Sequence, residues 1–220
     1  MFAAMGKLHT PRYAFSSGKW PDFATWKAAA TPEVIATLGQ LPPIVPLNPE
    51  RLAVWDDDGI VKERWLIDVG PGIAAPLITA RRADIPDGMR LPTLFCAHGH
   101  GPFGKEPVMS RETGGELGAS IRAHNYNFGH QMAQRGYLTF TMDWMGFGER
   151  DDRRIPAHQA LSFGRDWCNL YYLHATMLGM TPLGMHITHG KQAVTFMQTH
   201  PFADPDRFGM MGISGGGTLT

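Results

Sequence analysis

A chain of 220 residues with 43% hydrophobic and 18% charged residues is long enough to bury one core and too apolar to stay disordered. Lysine plus arginine and aspartate plus glutamate number 20 each and are scattered, so nothing in the charge pattern points to nucleic acid or an anionic membrane. No apolar run reaches the length of a membrane span, and MFAAMGKLHT lacks the apolar stretch of a secretory leader, so the expectation is a cytoplasmic protein.

Residues 1–48 read as an irregular, partly helical arm before a main domain over 49–220. Thr31 and Pro32 predict a short helix, with Thr as cap and Pro in the first turn, ending near Leu38. The proline-rich stretch to Pro49 reads as extended. Residues 61–69 and 75–80 read as two antiparallel strands joined by the tight turn Gly70-Pro71-Gly72. Leu91–Ala97 is a short apolar run and reads as a buried strand, with Cys96 a small buried hydrophobe. Residues 121–135 predict one helix closed by Gly136, and 137–142 a second buried strand ending at Asp143. Residues 144–181 form a long excursion with a helix near 166–177; Cys168 falls in it and reads as a loop residue. Residues 183–199 suit an amphipathic helix, and 207–213 a last strand.

Strands that alternate with helices imply a parallel sheet covered on both faces. With two antiparallel strands in front, the expected class is α/β: a mostly parallel, doubly wound sheet in three αβα layers. That is the N-terminal half of an α/β-hydrolase fold.

Gly212-Ile213-Ser214-Gly215-Gly216 follows the last strand and matches G-x-S-x-G. A nucleophilic serine needs a sharp strand-to-helix turn that exposes its hydroxyl, and side chains at the flanking positions would clash. The helix that follows aims its N-terminus at the site, where negative charge would develop. The bland alternative is a glycine-rich turn with an incidental serine.

His98-Gly99-His100-Gly101 follows the strand Leu91–Ala97. In this fold one oxyanion donor comes from the residue after the nucleophile, here Gly215, and a second from the loop after the third strand. The expected second donor is the His100 amide, with Gly101 as the alternative. Gly99 and Gly101 let the backbone approach the substrate, and the His98 ring anchors the loop. The two loops should converge above the sheet where strand order reverses. No Cys, Asp or Glu completes a ligand set with His98 and His100, so no metal is expected. His186 and His189 share a helix face at i, i+3 and read as an exposed or half-buried face rather than ligands.

A rival reading comes from Gly99 to Glu106, which nearly fits the phosphate loop G-x-x-x-x-G-K-[ST]. Glu106 stands where Ser or Thr would bind Mg²⁺, Pro102 lacks a backbone donor, and no helix signal follows at once. The nucleotide-hydrolase reading is therefore set aside, and Lys105 is expected at a rim or on the surface.

The segments HGHGPFGK, GYLTFTMDWMGFGER and DPDRFGMMGISGGGTLT resemble bacterial α/β-hydrolases of the acetylxylan-esterase-like and dienelactone-hydrolase-like kinds. The arm, with Trp20, Trp26 and LPPIVPLNPE, is similar too. The resemblance runs from about residue 20 onward. It implies ester hydrolysis through a Ser-Asp-His triad and an acyl-enzyme, without a cofactor, on a small-molecule or carbohydrate ester. The pattern Asp-x-Arg-Gly-x-Gly often seen there is Asp143-Trp144-Met145-Gly146-Phe147-Gly148 here, so Met145 replaces the arginine. Asp143 precedes the serine and is read as structural; residues 149–154 are read as a solvated charged loop. Trp144, Met145 and Phe147 are expected on the substrate rim. In this fold the acid and histidine follow the serine, yet only six residues follow Ser214 and all ten histidines precede it. A chain cut after its nucleophile is the expectation, with a non-catalytic or binding protein as the alternative.

Overall fold

Six strands form one sheet in this computed structural model, which describes residues 1–152 and 167–220. They are β1 (Glu50–Asp56), β2 (Ile60–Gly70), β3 (Ile73–Arg82), β4 (Leu91–Ala97), β5 (Leu138–Met142) and β6 (Ala203–Gly212). Their order across the sheet is β1-β2-β3-β5-β4-β6. The first three form an antiparallel meander, β3 pairs antiparallel with β5, and β4 pairs in parallel with β5 and β6. Strands β2, β4, β5 and β6 therefore run one way and β1 and β3 the other, as in an α/β-hydrolase sheet.

Strand β1 lies outside the sequence-based expectation, which began the sheet near residue 60. Six of its seven residues are exposed, so it shows no apolar alternation; its place is set by backbone pairing with β2. It also makes the antiparallel share of the sheet larger than expected.

Burial alternates across the sheet. Leu77 of β3, with Phe95, Leu138, Phe140 and Met142, packs under Ala193, Phe196 and Met197 of one helix, Pro182–Gln198. Ile78 and Ala80 face the other way, toward Met109 and Ala133. Each face of the sheet thus has its own helical cover. Among the described residues the helices are, in chain order, α1 (Phe2–Leu8), α2 (Phe23–Ala36), α3 (Glu106–Met109), α4 (Gly115–His124), α5 (Phe128–Gln134), α6 (Trp167–Met177), α7 (Pro182–Gln198) and α8 (Gly215–Leu219).

Two helices depart from expectation. α2 starts well before Thr31, because Asp22 caps it: its Oδ1 accepts the Thr25 N–H at 2.7 Å, and Pro32 sits inside the helix. The cap and an alanine-rich first half outweigh the one ladder bond that Pro32 cannot make on this largely exposed helix. The single helix expected over 121–135 is two. Asn125 takes a left-handed φ of 49° and ends α4, which turns Tyr126 toward the loop after β4. The arm docks onto the body through Gln40 N–H to the Gly179 carbonyl at 2.7 Å and Gln192 Nε2 to the Val45 carbonyl at 2.7 Å. Among the described residues no helix is long and apolar enough to cross a membrane.

Candidate active site

Strands β4 and β6 are parallel neighbours with Ala97 opposite Gly212, so the loops that follow them leave the same end of the sheet side by side. Ser214 has φ 53° and ψ −118°, a backbone state that costs a non-glycine residue about 1–3 kcal/mol. Ser214 is exposed, and α8 begins at the next residue. The glycines around it have steric reasons. A Cβ on Gly212 would meet the backbone of Gly216, and one on Gly216 would strike the Ala97 carbonyl. A Cβ on Gly99 would lie 2.7 Å from the Ile213 oxygen and 3.0 Å from Ser214 Cβ. The loop after β4 is thus packed directly against the serine turn.

His98 anchors that loop. Its ring is buried, Nδ1 donates to the Gly99 carbonyl at 2.7 Å, and Nε2 accepts the Trp144 N–H at 3.2 Å. Both nitrogens are used by the neutral ring, and burial pushes its pKa down. Tyr126 holds the next residue: its hydroxyl accepts the Gly99 N–H at 2.7 Å. The His100 ring lies over Gly215, whose notional Cβ would be 2.8 Å from Nδ1, and packs edge-on against Phe147. His100 Nε2 is 3.3 Å from Cys168 Sγ, a contact that requires α6 to fold back over the loop. Among the described residues the amides of His100, Gly101 and Gly215 donate to no protein acceptor, whereas that of Gly99 is taken by Tyr126.

Ser214 opens into a cleft of about 320 Å³ bordered by Ser120, His124 and Tyr126. A second cavity of about 190 Å³ lies on the Gly215 side, walled by Trp144, Phe147 and His186. Of the three expected rim residues, Trp144 and Phe147 reach this cavity and Met145 reaches neither one; Met145 is buried. His186 borders the cavity, its ring tilted at 32° to that of Trp144 with centroids 5.6 Å apart, while His189 is fully buried, so the face is more buried than expected. Burial lowers both imidazoles to about 3, which keeps them neutral. Among the described residues no three His, Cys, Asp or Glu side chains converge to hold a metal ion.

Asp143 is a buried hub. It accepts the Lys105 N–H at 2.7 Å, Lys105 Nζ at 2.8 Å and the Glu149 N–H at 2.9 Å. Gly104 and Gly148, with φ of 53° and 57°, let the backbone wrap this carboxylate, since a Cβ on either would hit it. Lys105 is therefore not a surface lysine. Its side chain is fully buried between Asp143 and Glu149, and attraction to Asp143 and Glu106 raises its pKa despite burial. Glu149 also pairs with Arg64 at 2.6 Å, so the charged loop is partly engaged rather than solvated; Arg153 and Arg154 lie outside the described residues. A helix does start at Glu106, but it is a single turn, and Glu106 faces Arg64. Sequence reasoning missed Tyr126, Lys105 and Cys168 as parts of this region. Only Asn125, a residue prone to left-handed turns, hinted at the first.

No family profile matches the chain. The Bacillus subtilis (strain 168) protein YtaP, described as an inferred hydrolase, is 24% identical over 198 residues, covering 88% of this chain and 58% of its own. A crystal structure from Bacteroides fragilis NCTC 9343, described as an inferred acetyl xylan esterase, superposes with a TM-score of 0.74 at 19% identity, over 97% of this chain and 53% of that one. A glucuronoyl esterase from Solibacter usitatus has a TM-score of 0.55 at 16% identity, over 97% of this chain and 60% of that one. The chain thus has the α/β-hydrolase fold of these proteins and spans somewhat more than half their length.

Proposed function

We propose that this chain carries the nucleophile and oxyanion loop of a serine hydrolase acting on carboxylic esters. One observation carries the reading: Ser214 sits exposed at φ 53° between β6 and α8, packed against the loop His98–Gly101. In this role Ser214 Oγ bonds to the ester carbonyl carbon as the C–O bond to the alcohol breaks, the serine proton leaves with the alcohol, and water then frees the acid from the acyl-enzyme. The amides of Gly215 and His100 hold the developing oxyanion, with Gly101 the alternative second donor. Gly99 and Gly101 give the loop its close approach, and His98 positions it. The substrate is a small-molecule or carbohydrate ester, in keeping with the esterases whose fold the chain shares, and no cofactor enters the reaction.

A second reading has one observation in its favour. Among the described residues no histidine ring hydrogen-bonds Ser214, so the serine turn would bind rather than cleave. Reaction with a fluorophosphonate probe, followed by peptide mass mapping, separates the two. Ester hydrolysis and labelling at Ser214, both lost in Ser214→Ala with circular dichroism unchanged, support the hydrolase. Hydrolysis that survives Ser214→Ala contradicts it.

A further inference from the structure

The Tyr126 hydroxyl has half of its hydrogen-bonding capacity left over. Oη accepts the Gly99 N–H at 2.7 Å, yet its own proton goes to no acceptor among the described residues. The oxygen lies on the Ser214 side of the loop after β4. A Cβ built on Gly99 would be 3.0 Å from Ser214 Cβ and 3.1 Å from Tyr126 Oη, so those two atoms are no farther apart than the two distances together. Gly99 has no side chain to stand between them. Tyr126 and Ser214 border the same cleft of about 320 Å³, and no Asp, Glu, Lys or Arg borders it among the described residues.

The phenol is a prepared donor. Its backbone N–H bonds the Ile121 carbonyl at 3.1 Å, and its ring packs edge-on against His124 at 6.3 Å and tilted against Phe128 at 6.0 Å. A donor fixed in this way needs no rearrangement when charge develops beside it. Burial raises the pKa of the phenol, so it holds its proton, and the Gly99 N–H polarises the O–H bond toward stronger donation. An ester under attack offers three oxygens. The carbonyl oxygen faces the amides of Gly215 and His100 in the reading above, and Ser214 Oγ makes no hydrogen bond with Tyr126. The alcohol oxygen remains. Atoms that add to Ser214 Oγ toward the cleft shorten the gap to Tyr126 to hydrogen-bond range.

We propose that Tyr126 is a further catalytic residue, which donates a hydrogen bond to the alcohol oxygen of the ester as the acyl-enzyme forms. This role rests on the esterase reading. The bond from Ser214 Oγ to the carbonyl carbon forms, and the bond from that carbon to the alcohol oxygen breaks with its electron pair passing to the oxygen. The serine proton leaves with the alcohol, and Tyr126 keeps its own. The hydrogen bond is stronger in the transition state than in the bound ester, because the alcohol oxygen gains charge as it departs.

Two acetates test this, since they share an acyl group and differ in the alcohol. p-Nitrophenolate departs without help, whereas the alkoxide of benzyl alcohol does not. Tyr126→Phe should lower kcat/KM several-fold for both through the looser loop, and about tenfold further for benzyl acetate, the lower end for a hydrogen bond to a charged group. Tyr126→3,5-difluorotyrosine separates the donor from the loop anchor. This phenol ionises near neutral pH, and its phenolate still accepts the Gly99 N–H but has no proton to donate. The ratio of kcat/KM for benzyl acetate to that for p-nitrophenyl acetate should fall about tenfold as it ionises. The ratio should stay level over the same pH range in the parent, which keeps His100 and His124, the other titratable groups that border the cleft among the described residues. Should Tyr126→Phe fail to fold, the difluorotyrosine protein decides alone. Ser214-dependent hydrolysis with equal losses for the two acetates, or with a ratio that ignores ionisation of the fluorinated phenol, overturns the role of Tyr126 and leaves the esterase reading standing. Absence of any hydrolysis that Ser214→Ala abolishes overturns both.

Discussion

Lys105 Nζ lies 2.8 Å from Asp143 Oδ2, and both side chains are fully buried. The pair gives each residue a structural task. The lysine cannot reach a phosphate without leaving its carboxylate, and the aspartate already accepts the Lys105 N–H, Lys105 Nζ and the Glu149 N–H. Glu149, Glu106 and Arg64 extend the pair into a network that ties the loop after β4 to the loop after β5.

Removing one partner leaves an uncompensated buried charge, which typically costs about 3–5 kcal/mol. Lys105→Met should therefore lower the urea midpoint sharply, by more than any substitution on the exposed strand β1. A loss below about 1 kcal/mol would show that the network contributes little.

Because Lys105 is committed to Asp143, nucleotides should find no site. Millimolar ATP or GTP with Mg²⁺ should leave the melting temperature unchanged, since only a ligand that binds the folded state raises it. A rise that Lys105→Met abolishes would restore the phosphate-loop reading.

Tyr126 holds the Gly99 amide at 2.7 Å. Tyr126→Phe orphans that donor at a cost of about 1–3 kcal/mol, and should reduce ester turnover several-fold by loosening the loop. Gly99→Ala should be worse, because its Cβ would fall 2.7 Å from the Ile213 oxygen. Steady-state kinetics on both variants, with melting curves, would test this; a Gly99→Ala protein as active as the parent would contradict it.

Burial lowers His186 and His189 to about 3. Their folded pKa values lie below the ordinary 6.5, so the unfolded chain takes up protons that the folded chain refuses. The stability involved is present above about pH 6.5 and is lost as the pH falls toward 3, by up to about 1.4 kcal/mol per pH unit for each ring. Urea denaturation between pH 7 and 5 should show this slope. His189→Gln should remove about one ring's share, and an unchanged slope in that variant would argue against a neutral buried His189.

Several features were legible in the sequence because they are local. Five of the six strands were legible as strand segments, and G-x-S-x-G marked the serine turn because a Cβ on Gly212 or Gly216 would strike neighbouring backbone. Strand β1 was not legible, since its residues are exposed and its order comes from a neighbour. Nor was the break at Asn125 read correctly. A helix-compatible stretch on either side of one left-handed residue looks continuous until Tyr126 finds Gly99.

The sequence by itself determined the α/β class, the turn that bears Ser214 and the loop His98–Gly101, because each follows from nearest-neighbour sterics and apolar runs. Tertiary structure alone decided which polar groups were used up. It buried Lys105 against Asp143, took both nitrogens of His98, left Trp144 Nε1 and His186 Nε2 buried without a partner among the described residues, and sent Met145 into the core. The physical reason is range. A hydrogen bond or an ion pair acts over a few ångströms, and only the folded sheet brings residues from the ends of β4, β5 and β6 within that distance.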